Sequence, residues 1–302
     1  MRRALRLRVE SALGSAAVGR MARYRIRGKR LILAYHGIVP EGAPSAGERS
    51  LFVSQRDFAA HLDVVTEIGD VVALDALDAP GNGRPRVAIT FDDAYRGAVN
   101  EGVQELARRG LPATIFVAPG RLSDHVFWWD ALSNGGAALD DAIRHHALHG
   151  LGGSDERVRA WATRIRLPSS DAVPAYAQTA TPAELRAALD FAGITVGSHS
   201  WSHANLAALS ALDIATELER SRDWLDAAFG ERAIPWLAYP YGLDSEETHR
   251  AAAKAGYAGA LRIGGGWHRA IDVPRLARPR LNVPGSLTVA GFRARLLGVM
   301  QP

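Results

Sequence analysis

Two adjacent carboxylates, Asp92 and Asp93, follow the apolar run Val87–Phe91, and two histidines four residues apart, His199 and His203, follow the short apolar stretch Ile194–Gly197. Carboxylate and neutral imidazole together suit zinc or a neighbouring first-row ion. On a helical turn, residues i and i+4 bring their Cβ atoms to about 5–6 Å, close enough to share one metal. Side chains alternate along a strand, so two adjacent acids serve one site only if the chain turns between them. The segment Ala94-Tyr95-Arg96-Gly97 permits such a turn. The plain alternatives are an aspartate capping the next helix, which accounts for one acid but not both, and histidines that are merely capping or solvated. Two further segments end apolar runs. His36 closes Leu31–Tyr35, and Trp236–Ala238 leads into Tyr239-Pro240-Tyr241-Gly242. A rigid proline turn can aim a backbone N–H at a developing oxyanion, or be an ordinary turn packed by its tyrosine. His36 taken alone reads more readily as a structural histidine bonded to a loop carbonyl.

The elements around these residues alternate. Apolar runs at Leu31–Tyr35, Val87–Phe91, Ala113–Val117, Ile194–Gly197, Trp236–Ala238, Tyr257–Leu261 and Arg280–Val283 read as strands. Helices are predicted between them: Gln55–Ile68 behind a Ser54 cap, Gly97–Arg109 stopping at Gly110, Pro182–Phe191 with a Thr181/Glu184 capping box, Leu212–Phe229, Ser245–Ala255 and a closing Leu287–Leu297. Strands without polar alternation, separated by helices, predict a parallel β/α architecture, most simply a barrel, with an open doubly wound sheet as the alternative. Parallel strands put His36 on the same rim as Asp92 and His199, where such folds carry their sites. Residues 120–180 break the rhythm with Trp128, Trp129, the turn Asn134–Gly136 and polar helical sequence. They read as an insertion covering one face of the barrel without a core of its own.

The 302 residues are 47% hydrophobic and 23% charged, the balance of a globular protein. The absence of cysteine excludes a disulfide framework, a cysteine nucleophile and thiolate-bound zinc. Residues 1–30 hold ten Lys/Arg and one acid, a charge of +9, against 26 basic and 31 acidic residues elsewhere, a charge of −5. The chain therefore divides into a basic arm, 1–29, and a barrel domain, 30–302. The arm suits an anionic membrane surface or simple solvation, and no recognition motif accompanies it to suggest nucleic acid. Ser11–Val18 is too short and weakly apolar for a secretory leader. The expected location is cytoplasmic, peripheral to the inner membrane face where the arm binds lipid.

In order, AYHGIVP (34–40), TFDDAY (90–95), GSHSWSHANL (197–206) and AYPYG (238–242) resemble the polysaccharide deacetylases of carbohydrate esterase family 4, over Arg30 to Val283. The resemblance implies a distorted (β/α) barrel of about seven parallel strands and a divalent metal, most simply zinc, with nickel, cobalt or manganese as alternatives. It implies removal of N-acetyl groups from an amino-sugar glycan or a lipid-linked sugar. By position, Asp93, His199 and His203 are similar to the metal ligands, Asp92 to the general base, and Tyr241 to the residue whose backbone N–H completes the oxyanion hole. Two motif residues are absent. Ala238 stands where the family has a base-orienting arginine, and no Leu-x-His motif for the general acid occurs near the C-terminus. Tyr35-His36 resembles the early Tyr-His of the exopolysaccharide (poly-N-acetylglucosamine) deacetylase subgroup, which makes His36 the acid. Arg280 can stand in for the missing arginine, contact substrate, or be a salt-bridged structural residue. Trp128, Trp129, Trp201 and Trp267 can stack on sugars or pack in the core. Two other functions fit the same resemblance: an allantoinase-like hydrolase of cyclic amides, and a degenerate glycan-binding protein.

Overall fold

The computed structural model describes residues 24–133 and 139–298. Most of the basic arm and the turn Asn134–Gly136 lie outside the described residues. The strands are β1 (Arg30–Tyr35), β2 (Gly37–Val39), β3 (Phe52–Ser54), β4 (Asp70–Val71), β5 (Arg86–Phe91), β6 (Ala113–Val117), β7 (Ile194–Ser198), β8 (Ala233–Ala238), β9 (Gly259–Ile263) and β10 (Arg278–Asn282). The order β1-β10-β9-β8-β7-β6-β5 closes on itself because β1 also pairs with β5. The result is a closed barrel of seven parallel strands, as expected. Since β1 takes one edge of β5 over its whole length, β4 and β6 share the other edge, at its start and end respectively. The β2–β3 pair lies outside the barrel.

Alternation along each strand sorts the side chains into two cores. Ile32, Ala88, Phe116, Trp236, Ala238 and Leu261 fill the barrel, floored by Leu74 and Leu77. Leu31, Leu33, Val87, Ile89, Phe91, Ile115 and Val196 face outward, under the helices. Helix Gln55–Ile68 shows how the sequence builds that outer layer. The Ser54 Oγ accepts from Asp57 N–H at 3.0 Å, and Phe58, Leu62 and Val65 recur at helical spacing on its buried face. Each such side chain contributes about 1.5–3 kcal/mol on burial. The Thr181/Glu184 capping box is present as expected, with Thr181 N–H donating to Glu184 at 2.8 Å.

Three expectations need correction. The helix predicted for Gly97–Arg109 opens with a π-helical turn, Ala98–Gly102, before Val103–Ala107. The strand predicted from Tyr257 starts at Gly259, because the Tyr257 N–H closes the preceding helix on Ala252 O. The segment 120–180 does cover the barrel, but it also carries an aromatic cluster of its own. Phe127, Trp128, Trp129, Leu132, Val158 and Tyr176 pack together, and Phe52 and Tyr95 complete the cluster from the barrel side. Aromatic residues bury large areas with few conformers, and so few of them suffice to give this segment a core.

Candidate active site

All the chemistry-bearing residues sit at the C-terminal ends of the barrel strands. Strand β5 ends at Phe91, and Asp92 N–H bonds Tyr35 O at 2.9 Å, the last rung against β1. Asp93 and Ala94 then take left-handed backbone angles, φ 69° and 52°. That turn is what brings two consecutive carboxylates to one place. His199 N–H bonds Val117 O at 2.8 Å at the end of β7. The expected helical turn from His199 to His203 is not there. Ser200 and His203 both have φ 59°, and the loop coils tightly instead. It is held from outside by Glu217, whose carboxylate accepts Trp201 N–H at 2.9 Å, Ser202 N–H at 2.8 Å and Ser202 O–H at 2.7 Å. The Ser200 hydroxyl accepts His203 N–H at 3.1 Å.

The candidate ligand atoms converge. Asp93 Oδ1 is 3.0 Å from His203 Nε2 and 3.5 Å from His199 Nε2, and donor atoms of the three residues all lie within 4.8 Å of one another. His199 Nδ1 lies 2.7 Å from Ala238 O. Donation from Nδ1–H to that carbonyl leaves the Nε2 lone pair free for a metal. Asp93 Oδ1 is buried with no hydrogen-bond partner among the described residues. Burial raises the Asp93 pKa and lowers those of His199 and His203, the last to about 4. Buried neutral imidazoles and an unsatisfied carboxylate oxygen fit a divalent cation.

Beneath this cluster lies an ion pair. Arg280 is 0% exposed, and its two terminal nitrogens reach Asp92 Oδ1 and Oδ2 at 2.6 and 2.7 Å. Burial alone would raise the Asp92 pKa, but Arg280, with His199 and His36, outweighs it and holds the carboxyl well below the usual range. The β8 position of the absent motif arginine is Ala238, buried inside the barrel. Positive charge reaches Asp92 from β10 instead. Arg280 forms the floor beneath Asp92 and is not among the residues lining the cavity above. His36 Nε2 is 3.9 Å from Asp92 Oδ2, and burial lowers the His36 pKa.

Tyr241 enters from the β8 turn with φ 61°. The turn's own hydrogen bonds run from Gly242 N–H to Tyr239 O and from Leu243 N–H to Pro240 O, passing over the Tyr241 N–H. Its phenol, with pKa raised by burial, donates to Gly153 O at 2.7 Å and accepts from Trp128 Nε1 at 3.1 Å. A Cβ at Gly153 would stand 2.4 Å from the Tyr241 ring, so glycine lets the insertion close over this turn. Trp128 and Trp129 line the cavity of about 290 Å³, together with His36, Leu51, Leu148, Ile263 and Asn282. Trp201 does not line it. That ring is stacked under Arg220 at 3.7 Å. Trp267 lies against the outer core and donates to Leu296 O at 2.6 Å.

Sequence reasoning missed Glu217, Gly153 and Asn282. Nothing local marks the first two: Glu217 lies on the helix Ala211–Phe229 and Gly153 in the insertion, and each meets its partner only in the fold. Asn282 was readable, because it stands two residues after Arg280 on one strand and so shares its face.

Comparison with known proteins bears on family and fold. The polysaccharide deacetylase family model matches residues 80–260, well over half of the chain. The fold is shared with a deacetylase of Streptococcus pyogenes, PplD, solved with acetate (20% identity, TM-score 0.62, covering 91% of this chain and 100% of that one). IcaB of Ammonifex degensii aligns at 16% identity and TM-score 0.63, over 89% of this chain and 97% of IcaB. A de-N-acetylase of Aggregatibacter actinomycetemcomitans aligns at 15% identity and TM-score 0.59, over 88% and 98% of the two chains. In sequence, an uncharacterized 30.6 kDa protein of Geobacillus stearothermophilus is 35% identical over 65 residues, 22% of this chain, and the match spans 24% of that protein.

Proposed function

We propose, for a chain that belongs to the polysaccharide deacetylase family, metal-dependent hydrolysis of N-acetyl groups on an amino-sugar glycan or a lipid-linked sugar. The observation that carries this reading is the meeting of Asp93, His199 and His203 within 4.8 Å, beside an Asp92 that is already paired to Arg280. Asp93, His199 and His203 would hold the ion, and three protein ligands leave positions open for chemistry. Zinc suits two imidazoles and one carboxylate best, and nickel, cobalt or manganese would also be accommodated. When bound, the ion would act as a Lewis acid toward the acyl carbonyl and lower the pKa of water toward about 7.

The protein's own residues do the rest. Asp92, oriented by Arg280, takes the proton of the attacking water. His36, 3.9 Å from Asp92 Oδ2, is neutral at rest because it is buried. The proton taken by Asp92 has a short path to this imidazole, which then delivers it to the departing amine. The Tyr241 N–H faces the oxyanion, and losing one such donor costs about 10²–10³ in rate. Trp128 and Trp129 offer apolar walls for a sugar ring. The family resemblance of Tyr35-His36 favours an exopolysaccharide substrate of the poly-N-acetylglucosamine type. The excess positive charge of residues 1–30 suits attachment to an anionic membrane face, and among the described residues no helix is long and apolar enough to cross a membrane.

The test is acetate release from acetylated glycans and lipid-linked sugars, followed by mass spectrometry, with two variants beside the native chain. Asp93→Ala is expected to lose both metal and turnover. Asp92→Asn is expected to keep metal and lose turnover. Full activity in Asp92→Asn would remove the base assignment, and glycan binding without acetate release by the native, metal-loaded chain would favour a degenerate binding protein.

A further inference from the structure

Asn282 carries an unmet hydrogen-bonding demand inside the cavity. It ends β10, two residues after Arg280, and Arg280 points into the barrel to meet Asp92. Alternation puts the Asn282 side chain on the same inward face, one step closer to the mouth. It accordingly lines the cavity with Asp92, His36 and His199. Its Oδ1 is buried and has no hydrogen-bond partner among the described residues. An acceptor left in that state is unfavourable unless something arrives to donate to it. The carboxylate oxygens nearby have roles in the deacetylase reading, and Asp93 Oδ1, itself without a hydrogen-bond partner among the described residues, is the atom that reading gives to the ion. Both Asp92 oxygens receive Arg280, and Asp93 Oδ1 faces two imidazoles.

The position also says which donor would arrive. Asn282 pairs in register with Ala34 of β1, and His36 follows two residues beyond Ala34. The acid that protonates the leaving atom and the unpaired acceptor therefore stand on adjacent strand ends. An N-acyl sugar brings a nitrogen carrying one hydrogen to that place. An O-acyl sugar brings an oxygen with none. We propose that Asn282 Oδ1 accepts the N–H of the scissile amide and makes the site selective for N-acyl over O-acyl groups. The inference rests on the deacetylase reading above and adds a bond-type preference to it.

The test uses the full, metal-loaded chain and two probes of equal length, an N-acetylglucosamine oligomer and an O-acetylated glucose oligomer, with acetate release as the signal. Asn282→Leu removes the acceptor at similar volume, and Asn282→Asp retains one. For Asn282→Leu the expected result is a loss of about ten- to hundred-fold in kcat/KM on the amide, the effect of one unmade buried hydrogen bond. Ester kcat/KM is expected to stay within about threefold. Where the native chain does not cleave the ester, the ester's Ki against amide turnover takes its place and is expected not to move. The melting temperature of Asn282→Leu is expected to hold or rise, because an unpaired buried polar atom has been removed. Asn282→Asp is expected to retain more amide activity than Asn282→Leu. Equal losses on both probes, an unchanged amide rate, or a fall in melting temperature that tracks the activity would each overturn the proposal. A native chain that releases acetate from neither probe, nor from any other acetylated glycan or lipid-linked sugar, would instead overturn the deacetylase reading beneath it.

Discussion

Removing the Arg280 charge should move the acid limb of the pH–rate profile upward. Arg280 and Asp92 form a bidentate pair at 2.6 and 2.7 Å with almost no exposure. Two unit charges about 4 Å apart, at an effective dielectric near 20, interact by about 4 kcal/mol. At about 1.36 kcal/mol per unit this is roughly three pKa units, and such pairs commonly shift a carboxyl by about 1–3 units. With Arg280 present the Asp92 carboxyl titrates well below the usual range. In Arg280→Met, burial acts with less opposition and the carboxyl rises. A general base works only when deprotonated, so the acidic limb of kcat/KM rises with it, and each unit costs about tenfold in rate below the limb. The stability sign agrees. A folded-state pKa held below the unfolded one stabilises the protein above the unfolded value, and this is lost as pH falls through the folded one. The variant forfeits that contribution and buries an unpaired carboxylate, at a cost of about 3–5 kcal/mol.

The assay is kcat/KM against pH for the metal-loaded native chain, Arg280→Met and Arg280→Lys, with thermal melts at each pH. The double variant Arg280→Met/Asp92→Asn, in which neither charge remains, is expected to recover much of the stability lost in Arg280→Met. An unmoved acid limb, or a double variant as unstable as the single one, would mean that Arg280 only fills space, and the electrostatic account of Asp92 would fail.

Three further outcomes follow from the geometry. His36→Gln is expected to lose about 10²–10⁴ in amide turnover and much less on an acetyl ester with a good leaving group; equal losses on both would reject His36 as the acid. Glu217→Gln weakens the clamp on the His199–His203 loop, and zinc affinity, read by competition with a chromogenic chelator, is expected to fall about 10–100-fold; unchanged affinity would show that the loop holds its shape without the carboxylate. Asp130, bonded by Tyr95 O–H and by Glu48 N–H at 2.8 Å, has its pKa raised by burial to about 7 from an ordinary 3.8. A raised folded-state value gives stability that is present below the unfolded pKa and lost as pH climbs through 7. Between pH 5 and 7 the native chain is expected to lose about 2–3 kcal/mol from this group, and Asp130→Asn to show no such decline in melting temperature.

Much of this architecture can be read from the chain, because strands buried on both faces leave apolar runs and helix starts leave caps. Ser54 and Thr181 mark their helices in the sequence, and both caps are made. What the sequence hides is anything set by contact between distant loops. The His199–His203 spacing suggested a helix, because four-residue spacing is a helical signal wherever it occurs. Whether the chain coils instead depends on Glu217, on a different element. The absent arginine at Ala238 looks like a loss when motifs are read in order. In a closed barrel β8 and β10 both point side chains at the same axis, and a guanidinium on β10 reaches the carboxylate that a β8 arginine would serve. The insertion's core is hard to see in the sequence because Phe52 and Tyr95, which complete it, lie outside the insertion.

The turns themselves explain why the motifs are local in sequence yet converge in space. Eight non-glycine residues among those described have positive φ, and five of them, Asp93, Ala94, Ser200, His203 and Tyr241, belong to the site. Each such angle costs about 1–3 kcal/mol and persists only where its surroundings over-determine it. Along a regular strand Asp92 and Asp93 would point apart, and one of them would be lost to the outer layer. A left-handed residue at 93 is the shortest way to bring both inside. The same device reverses the chain at Ser200 and His203, so that two imidazoles reach the carboxylate without the length of a helix. That cost is offset by fixed bonds to the rest of the barrel: Glu217 under the 200–203 loop, Ala238 O behind His199, and Gly153 O against Tyr241. The positions of Asp93, His199 and His203 are thus set by bonds that come from the barrel and its insertion.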